Sequence, residues 1–222
     1  FPTRRSSDLK DFSFCVELPI KAKFMNYKMI CLPSYERPRI AGKKKVNEFK
    51  DGFLILLKDK DIEKRVFELG KTISSYYSET NKLIVVGLLR GSFMFIADLV
   101  RCLDIPVEVD FITVSSYGSK MTSSGNVRIL KDLDGDINGH DVLLVEDIVD
   151  TGKTLEAVIE MLETRMPNSI KVCALLNKQS RRISNVQAEW VGFEIPDEFV
   201  VGYGIDYAQR NRNLPYIGKV IN

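Results

Sequence analysis

The 222 residues, 45% apolar and 28% charged, suit one globular domain with room for a sizeable core, and no apolar run is long enough to span a bilayer. The net charge of +2 hides an asymmetry: residues 1–50 carry +7 and residues 51–222 carry −5, which argues against a general nucleic-acid binder in the main body. Cys15, Cys31, Cys102 and Cys173 lie far apart with no C-x-x-C pair, and His140 is the only histidine. That composition excludes a zinc framework and a histidine cluster, and it fits a reducing cytoplasm.

Residues 1–45 show no sustained helical or strand period and read as an irregular or disordered basic extension. Phe1–Leu9 lacks an initiator methionine and has the look of a translated adapter sequence. Regular structure is expected from about residue 52. Phe53–Leu57 is a short apolar run, and Ile62, Val66, Leu69, Ile73 and Tyr76 recur at helical spacing with Asp59 as a candidate N-cap. Leu83–Leu88 reads as a buried strand, Phe93–Val100 as a helix and Val107–Val114 as a second strand. The polar Ser115–Asn126 stretch reads as a lid or an idle surface loop, and Val127–Leu130 as a resuming strand. Asp141–Val145 and Ile170–Leu176 complete the strands, with His140 in the turn before the former. Continuous apolar strands separated by helices predict an α/β fold with a mostly parallel central sheet flanked by helices.

The chemistry concentrates in Leu143–Thr154, LLVEDIVDTGKT. Here a strand meets a helix whose buried face is marked by Leu155, Val158, Ile159 and Leu162. The turn Thr151-Gly152-Lys153-Thr154 therefore sits at a helix N-terminus, where unpaired N–H groups and the helix dipole favour a phosphate. A nucleotide-triphosphate P-loop would need glycine five residues before Gly152, and that position is the acid Asp147. Glu146 and Asp147 are expected to leave the carboxyl end of a parallel strand, where open α/β sheets bind ligands. Adjacent carboxylates suit a vicinal diol and a Mg²⁺ ion, and Asp150 is placed to face a reacting group between diol and phosphate.

This segment resembles the phosphoribosyl-pyrophosphate signature of the type I phosphoribosyltransferases. Three further motifs follow the same family in order: Gly87–Phe95, Asp110–Gly118 and Phe193–Tyr207. Residues 46–222 are thus identified as a phosphoribosyltransferase domain, similar to the bacterial hypoxanthine phosphoribosyltransferases. The resemblance implies a flexible lid loop and a small hood over the purine. It implies that Arg90 and Gly91, with a non-proline cis peptide at Leu89–Arg90, bind pyrophosphate together with Ser116, Tyr117 and Arg212. Glu146 and Asp147 would hold the ribose hydroxyls and Mg²⁺, with Asp206 a further metal ligand. Thr151, Gly152, Lys153 and Thr154 would cradle the 5′-phosphate, and Asp150 would accept the purine N7 proton.

For the base, the resemblance implies Lys178 at the 6-oxo group, Phe199 stacked on the ring and the Val200 backbone at its edge. From the residues alone, Lys178 reads as a solvated strand-end lysine, Phe199 as core, and Asp206 with Arg212 as a surface ion pair. A lysine facing a 6-oxo group would leave 6-amino purines mispaired, so adenine is rejected. The implied reaction is purine salvage: hypoxanthine, with guanine as a further acceptor, plus phosphoribosyl pyrophosphate gives the nucleoside monophosphate and pyrophosphate. The partners expected are these small molecules and a second copy of the chain, as homodimer or homotetramer, with no nucleic acid and no membrane. The alternative within the same fold is a nucleotide-sensing regulator that binds RNA, which would want a basic body rather than one at −5.

Overall fold

The computed structural model describes residues 53–116 and 127–220. The expected extension over residues 1–45 and most of the expected lid therefore lie outside the described residues. The element order is β1 (Phe53–Leu57), α1 (Asp59–Tyr76), β2 (Leu83–Leu89), α2 (Phe93–Val100), β3 (Val107–Ser116), β4 (Val127–Lys131), β5 (Asp141–Val149), α3 (Lys153–Glu163), β6 (Ser169–Asn177), β7 (Trp190–Glu194), β8 (Val200–Val201) and β9 (Ile217–Val220).

Six strands form the main sheet in the order β4-β3-β2-β5-β6-β7. Every neighbouring pair is parallel except β3 with β4. The strands are almost wholly apolar because both faces are covered, as the pleat shows residue by residue. On β5, Leu143 and Val145 join the cluster under α1 and α2, whereas Val142 and Leu144 join the cluster under α3. On β2, Leu83 and Val85 divide from Ile84 and Val86 in the same way. Each such fully buried aliphatic side chain contributes about 1.5–3 kcal/mol, so the two layers pin β5 at the centre of the sheet. Among the described residues, no helix is long and apolar enough to cross a membrane.

A second, antiparallel sheet of order β1-β9-β8 brings Phe53–Leu57 against the C-terminal strand. Arg65 on α1 donates to the Val191 and Gly192 carbonyls of the edge strand β7, at 2.8 and 2.9 Å.

Two local expectations are corrected. Asp59 is the first helical residue rather than the cap: Lys58 takes the extended cap conformation and no side chain caps the helix. Asp59 and Asp61 instead sit in the first turn, where the helix dipole favours acids. Glu146 and Asp147 do not leave the strand, since β5 runs on to Val149 and pairs with β6 as far as Asn177. That pairing carries the pleat past the two acids and so sets the faces of the sheet on which their side chains lie. His140 does lie in the turn before β5, its N–H donating to the Ile137 carbonyl.

Candidate active site

Three adjacent parallel strands, β2, β5 and β6, end on the same edge of the sheet, and each delivers part of one cleft. From β5, the turn after Val149 carries Asp150 and Thr151 into α3, whose cap residue is Gly152 with φ +82°. A side chain at that φ is strained, and a Cβ on Gly152 would also overlap the Ser184 hydroxyl, so only glycine passes. The Ile183 and Ser184 N–H groups donate to the Thr151 carbonyl at 3.0 and 3.2 Å and hold the turn from behind. A cavity of about 130 Å³ opens in front of it, lined by Glu146, Asp150, Thr151, Gly152 and Thr154 among others. Lys153 is the first residue of α3.

From β2 comes the turn Leu89-Arg90-Gly91, with the Leu89–Arg90 peptide cis as the resemblance implies. Gly91 lies directly against the Asp147 carboxylate, so this turn and strand β5 meet without room for a side chain between them. Their meeting encloses a second cavity of about 180 Å³ that shares Glu146 and Thr154 with the first. Gly204, at φ +99°, presses on the Gly91 carbonyl from the 202–214 segment. That segment brings in the remaining charges: Arg212 pairs with Asp206 at 2.7 Å and donates to the Gly204 carbonyl at 2.8 Å. Gln209, which the sequence did not single out, accepts from Arg90 at 3.2 Å and from Arg212 at 3.4 Å. Asp206 and Arg212 are thus a partly buried pair set against the Arg90 turn rather than an isolated surface contact.

The electrostatics of this corner are strained. Burial, and then the neighbouring Asp147 charge, push the Glu146 carboxyl well above the ordinary range. Burial also raises Asp147, to about 6; the N–H groups of Ile148 and Asp147 itself and the Arg212 charge oppose the rise, and Asp206 adds to it. Among the described residues, Glu146 Oε2 is buried with no hydrogen-bond partner. An orphaned carboxylate oxygen beside a second carboxylate is a place for a hard cation or hydroxyl donors. Among the described residues no group of three or more His, Cys, Asp or Glu is gathered as a metal cage. The pair still fits Mg²⁺, which typically takes one or two carboxylates and completes its shell with substrate phosphates and water.

From β6 comes the last part of the cleft. Lys178 follows the strand directly, and its side chain is only 8% exposed, so the solvated strand-end reading is wrong. Its N–H donates to the Val149 carbonyl at 2.9 Å, and its ammonium lies 3.8 Å from Asp197. Phe199 is not core but 54% exposed, with Tyr207 edge-on to it at 5.4 Å between ring centroids. An exposed phenyl face beside a buried lysine is a surface waiting for a flat partner. Val200 is buried on β8, where it pairs with Lys219. Ser116 ends β3, and Tyr117 lies outside the described residues. A cavity of about 440 Å³ lies elsewhere, between α1, α2 and residues 203–215, and holds none of the expected site residues.

Residues 56–208 match the family described as phosphoribosyl transferase domain. The hypoxanthine phosphoribosyltransferase of Haemophilus influenzae is 60% identical over 169 residues, covering 75% of this chain and 94% of that protein. The hypoxanthine-guanine phosphoribosyltransferase of Bacillus subtilis is 49% identical over 164 residues, covering 74% and 91%. Among solved structures, a Staphylococcus aureus hypoxanthine phosphoribosyltransferase superposes with a TM-score of 0.76 at 42% identity, covering 80% of this chain and 96% of that one. The chain belongs to the phosphoribosyltransferase family, and its fold and cleft are those of an enzyme acting on a phosphoribosyl donor.

Proposed function

We propose that the chain is a purine-salvage enzyme that transfers the 5-phosphoribosyl group of phosphoribosyl pyrophosphate to hypoxanthine, with guanine as a further acceptor. The observation that carries the choice of base is Lys178, buried beside the exposed ring of Phe199 in the same cleft as the phosphate turn. A 6-oxo purine lying on Phe199 would accept from Lys178, whereas a 6-amino group would leave that buried donor unpaired. The relatives' names support the same reading.

In this reading the Thr151–Thr154 turn holds the 5′-phosphate through backbone N–H groups and hydroxyls, while Glu146 and Asp147 take the ribose hydroxyls. Arg90, Gly91, Ser116, Tyr117 and Arg212 receive the pyrophosphate. The bond from ribose C1′ to the pyrophosphate oxygen breaks as a ring nitrogen of the base bonds to C1′. The N7 proton of the base passes to Asp150, a contribution of typically 10²–10⁴ in rate. Glu146, Asp147 and Asp206 would hold Mg²⁺ together with the donor, and the ion would supply neutralising charge for the leaving pyrophosphate. The domain is taken as 46–222, with 1–45 an appended basic extension, and we expect a cytoplasmic homodimer or homotetramer.

The test is an assay with Mg²⁺ and phosphoribosyl pyrophosphate that offers hypoxanthine, guanine, xanthine and adenine in parallel. Hypoxanthine should be converted and adenine should be inert. Failure to convert any base, in protein that still binds the donor, overturns the proposal.

A further inference from the structure

Arg181 was not among the residues expected at the site, yet it touches the group at the centre of the proposed chemistry. It ends the 3₁₀ turn Gln179–Arg181 that follows Lys178, and its N–H donates to the Lys178 carbonyl at 3.1 Å. The backbone on either side is held: Arg182 Nε reaches the Asp150 carbonyl at 3.3 Å, and the Ile183 and Ser184 N–H groups bind the Thr151 carbonyl. From this fixed base the Arg181 side chain reaches across the cleft. Its Nε lies 3.0 Å from Asp150 Oδ1, and its Nη1 lies 3.3 Å from Asp197 Oδ1. Asp197 in turn lies 3.8 Å from the Lys178 ammonium. A single ion-pair chain, Asp150–Arg181–Asp197–Lys178, therefore joins the carboxylate of the phosphate turn to the lysine of the base side.

The two oxygens of Asp150 are not equivalent. Oδ1 is buried and, among the described residues, accepts no hydrogen bond, with the Arg181 guanidinium as its charged neighbour. The Asp150 side chain is nevertheless 39% exposed, so its exposure comes from the rest of the group. A guanidinium 3.0 Å from one carboxylate oxygen attracts it by charge and favours the orientation that keeps Oδ1 beside Arg181, with the second oxygen turned away from it.

We propose that Arg181 is a positioning residue for phosphoribosyl transfer: it holds Asp150 by Oδ1 and leaves the other oxygen to take the purine proton. The second arm of the guanidinium, on Asp197, sets that carboxylate relative to the base-recognising Lys178. This assignment rests on the proposed reaction and on Asp150 as its proton acceptor. It asks little of Arg181 for the fold, because the side chains of Arg181 and Asp197 are about half exposed, and pairs of that kind add little stability.

The experiment compares wild type, Arg181→Ala, Arg181→Lys, Asp150→Asn and the Arg181→Ala/Asp150→Asn double variant in steady-state turnover of hypoxanthine. Donor affinity and thermal melting are measured alongside. Arg181→Ala should lower kcat about 10- to 100-fold, the scale expected when a reacting group is misplaced by about an ångström. Its donor affinity and melting temperature should stay near wild type. Arg181→Lys should recover part of the loss, since a compact ammonium reaches one of the two carboxylates and not both. In the Asp150→Asn background, removal of Arg181 should cost less than about twofold, because groups that act as one unit are not additive. Arg181→Ala within twofold of wild type, a gain in kcat/KM from removing a mere latch, or an equal loss in both backgrounds would each overturn the assignment. Wild type inert toward every purine base overturns the reaction itself and this assignment with it, so the two failures are told apart by the wild-type control.

Discussion

Two groups of carboxylates are drawn into the sheet, and they are treated in opposite ways. Asp110, on β3, is almost fully buried, but its oxygens accept from the N–H groups of Phe111 and Asp134 at 2.7 Å and of Gly135 at 3.3 Å, and from Lys131 at 3.3 Å. Burial alone would raise this carboxyl; the three N–H groups and the lysine outweigh it and hold it below the usual range. Glu146 and Asp147, two strand positions away in the sheet order, are raised instead, with one oxygen left orphaned. Asp110 is spent on the fold, closing β3 and β4 against the 132–135 turn. The pair on β5 is held at a cost that a bound cation or donor group would relieve. Burial by itself does not separate structural from functional acids; the completeness of their hydrogen bonding does.

Substitutions sharpen the contrast. The largest effect is expected from Asp150→Asn, which should lower kcat about 10²- to 10⁴-fold while donor affinity, read by isothermal titration, changes little. Equal losses in both would assign Asp150 to binding. Next, Asp110→Ala strands three backbone donors and should destabilise the fold by about 3 kcal/mol in urea titration, with donor affinity unchanged in the protein that remains folded. Glu146→Gln should do the reverse: donor affinity falls roughly 10- to 100-fold, matching the loss of a charge-assisted contact, and the melting temperature holds or rises. If Glu146→Gln unfolds the protein and Asp110→Ala does not, the distinction between the two sites is wrong.

The smallest effect is in pH. Because the folded Asp110 carboxyl is held below its unfolded value, the unfolded chain binds more protons in that window. Its stabilisation is therefore fully present above about pH 4 and is lost as pH falls through the lower folded value. The urea midpoint of Asp110→Asn should change less steeply below pH 4 than that of wild type; parallel slopes would place the acid sensitivity elsewhere.

The parallel strands were legible because burial on both faces leaves no polar alternation: Leu83–Val86 and Val142–Val145 are buried at every position. The acids of β5 break that pattern, so the apolar run marks the strand only as far as Val145, four residues short of its end at Val149. β7 was missed because Trp190–Glu194 is half-buried at an edge and broken by Gly192, and β8 and β9 because two and four residues carry no period. The phosphate turn could be read because its geometry is local: a strand, a glycine and a helix start within ten residues. Lys178, Gln209 and Arg181 could not be read from the residues alone. Lys178 looks solvated until packing around β6 buries it, Gln209 meets Arg90 across 119 positions, and Arg181 meets Asp150 across 31. Tyr203, Ala208, Gln209 and Asn211 also adopt positive φ without being glycine, which local propensity does not foresee.

The order of the sheet has a consequence for how such a site can change. In the proposed reaction the donor residues are scattered over β2, the end of β3, β5 and the 206–212 stretch, whereas the base residues, from Lys178 through Asp197 to Phe199 and Val200, would come from one continuous stretch of chain after β6. A single exchanged segment, spanning the 3₁₀ turn, β7 and the approach to β8, would therefore replace the acceptor preference as a cassette while the sugar-phosphate machinery stays in place. The donor side, assembled from separate strands, has no such shortcut. Diversification of this scaffold should accordingly run through the choice of base, with the shared donor as its fixed element.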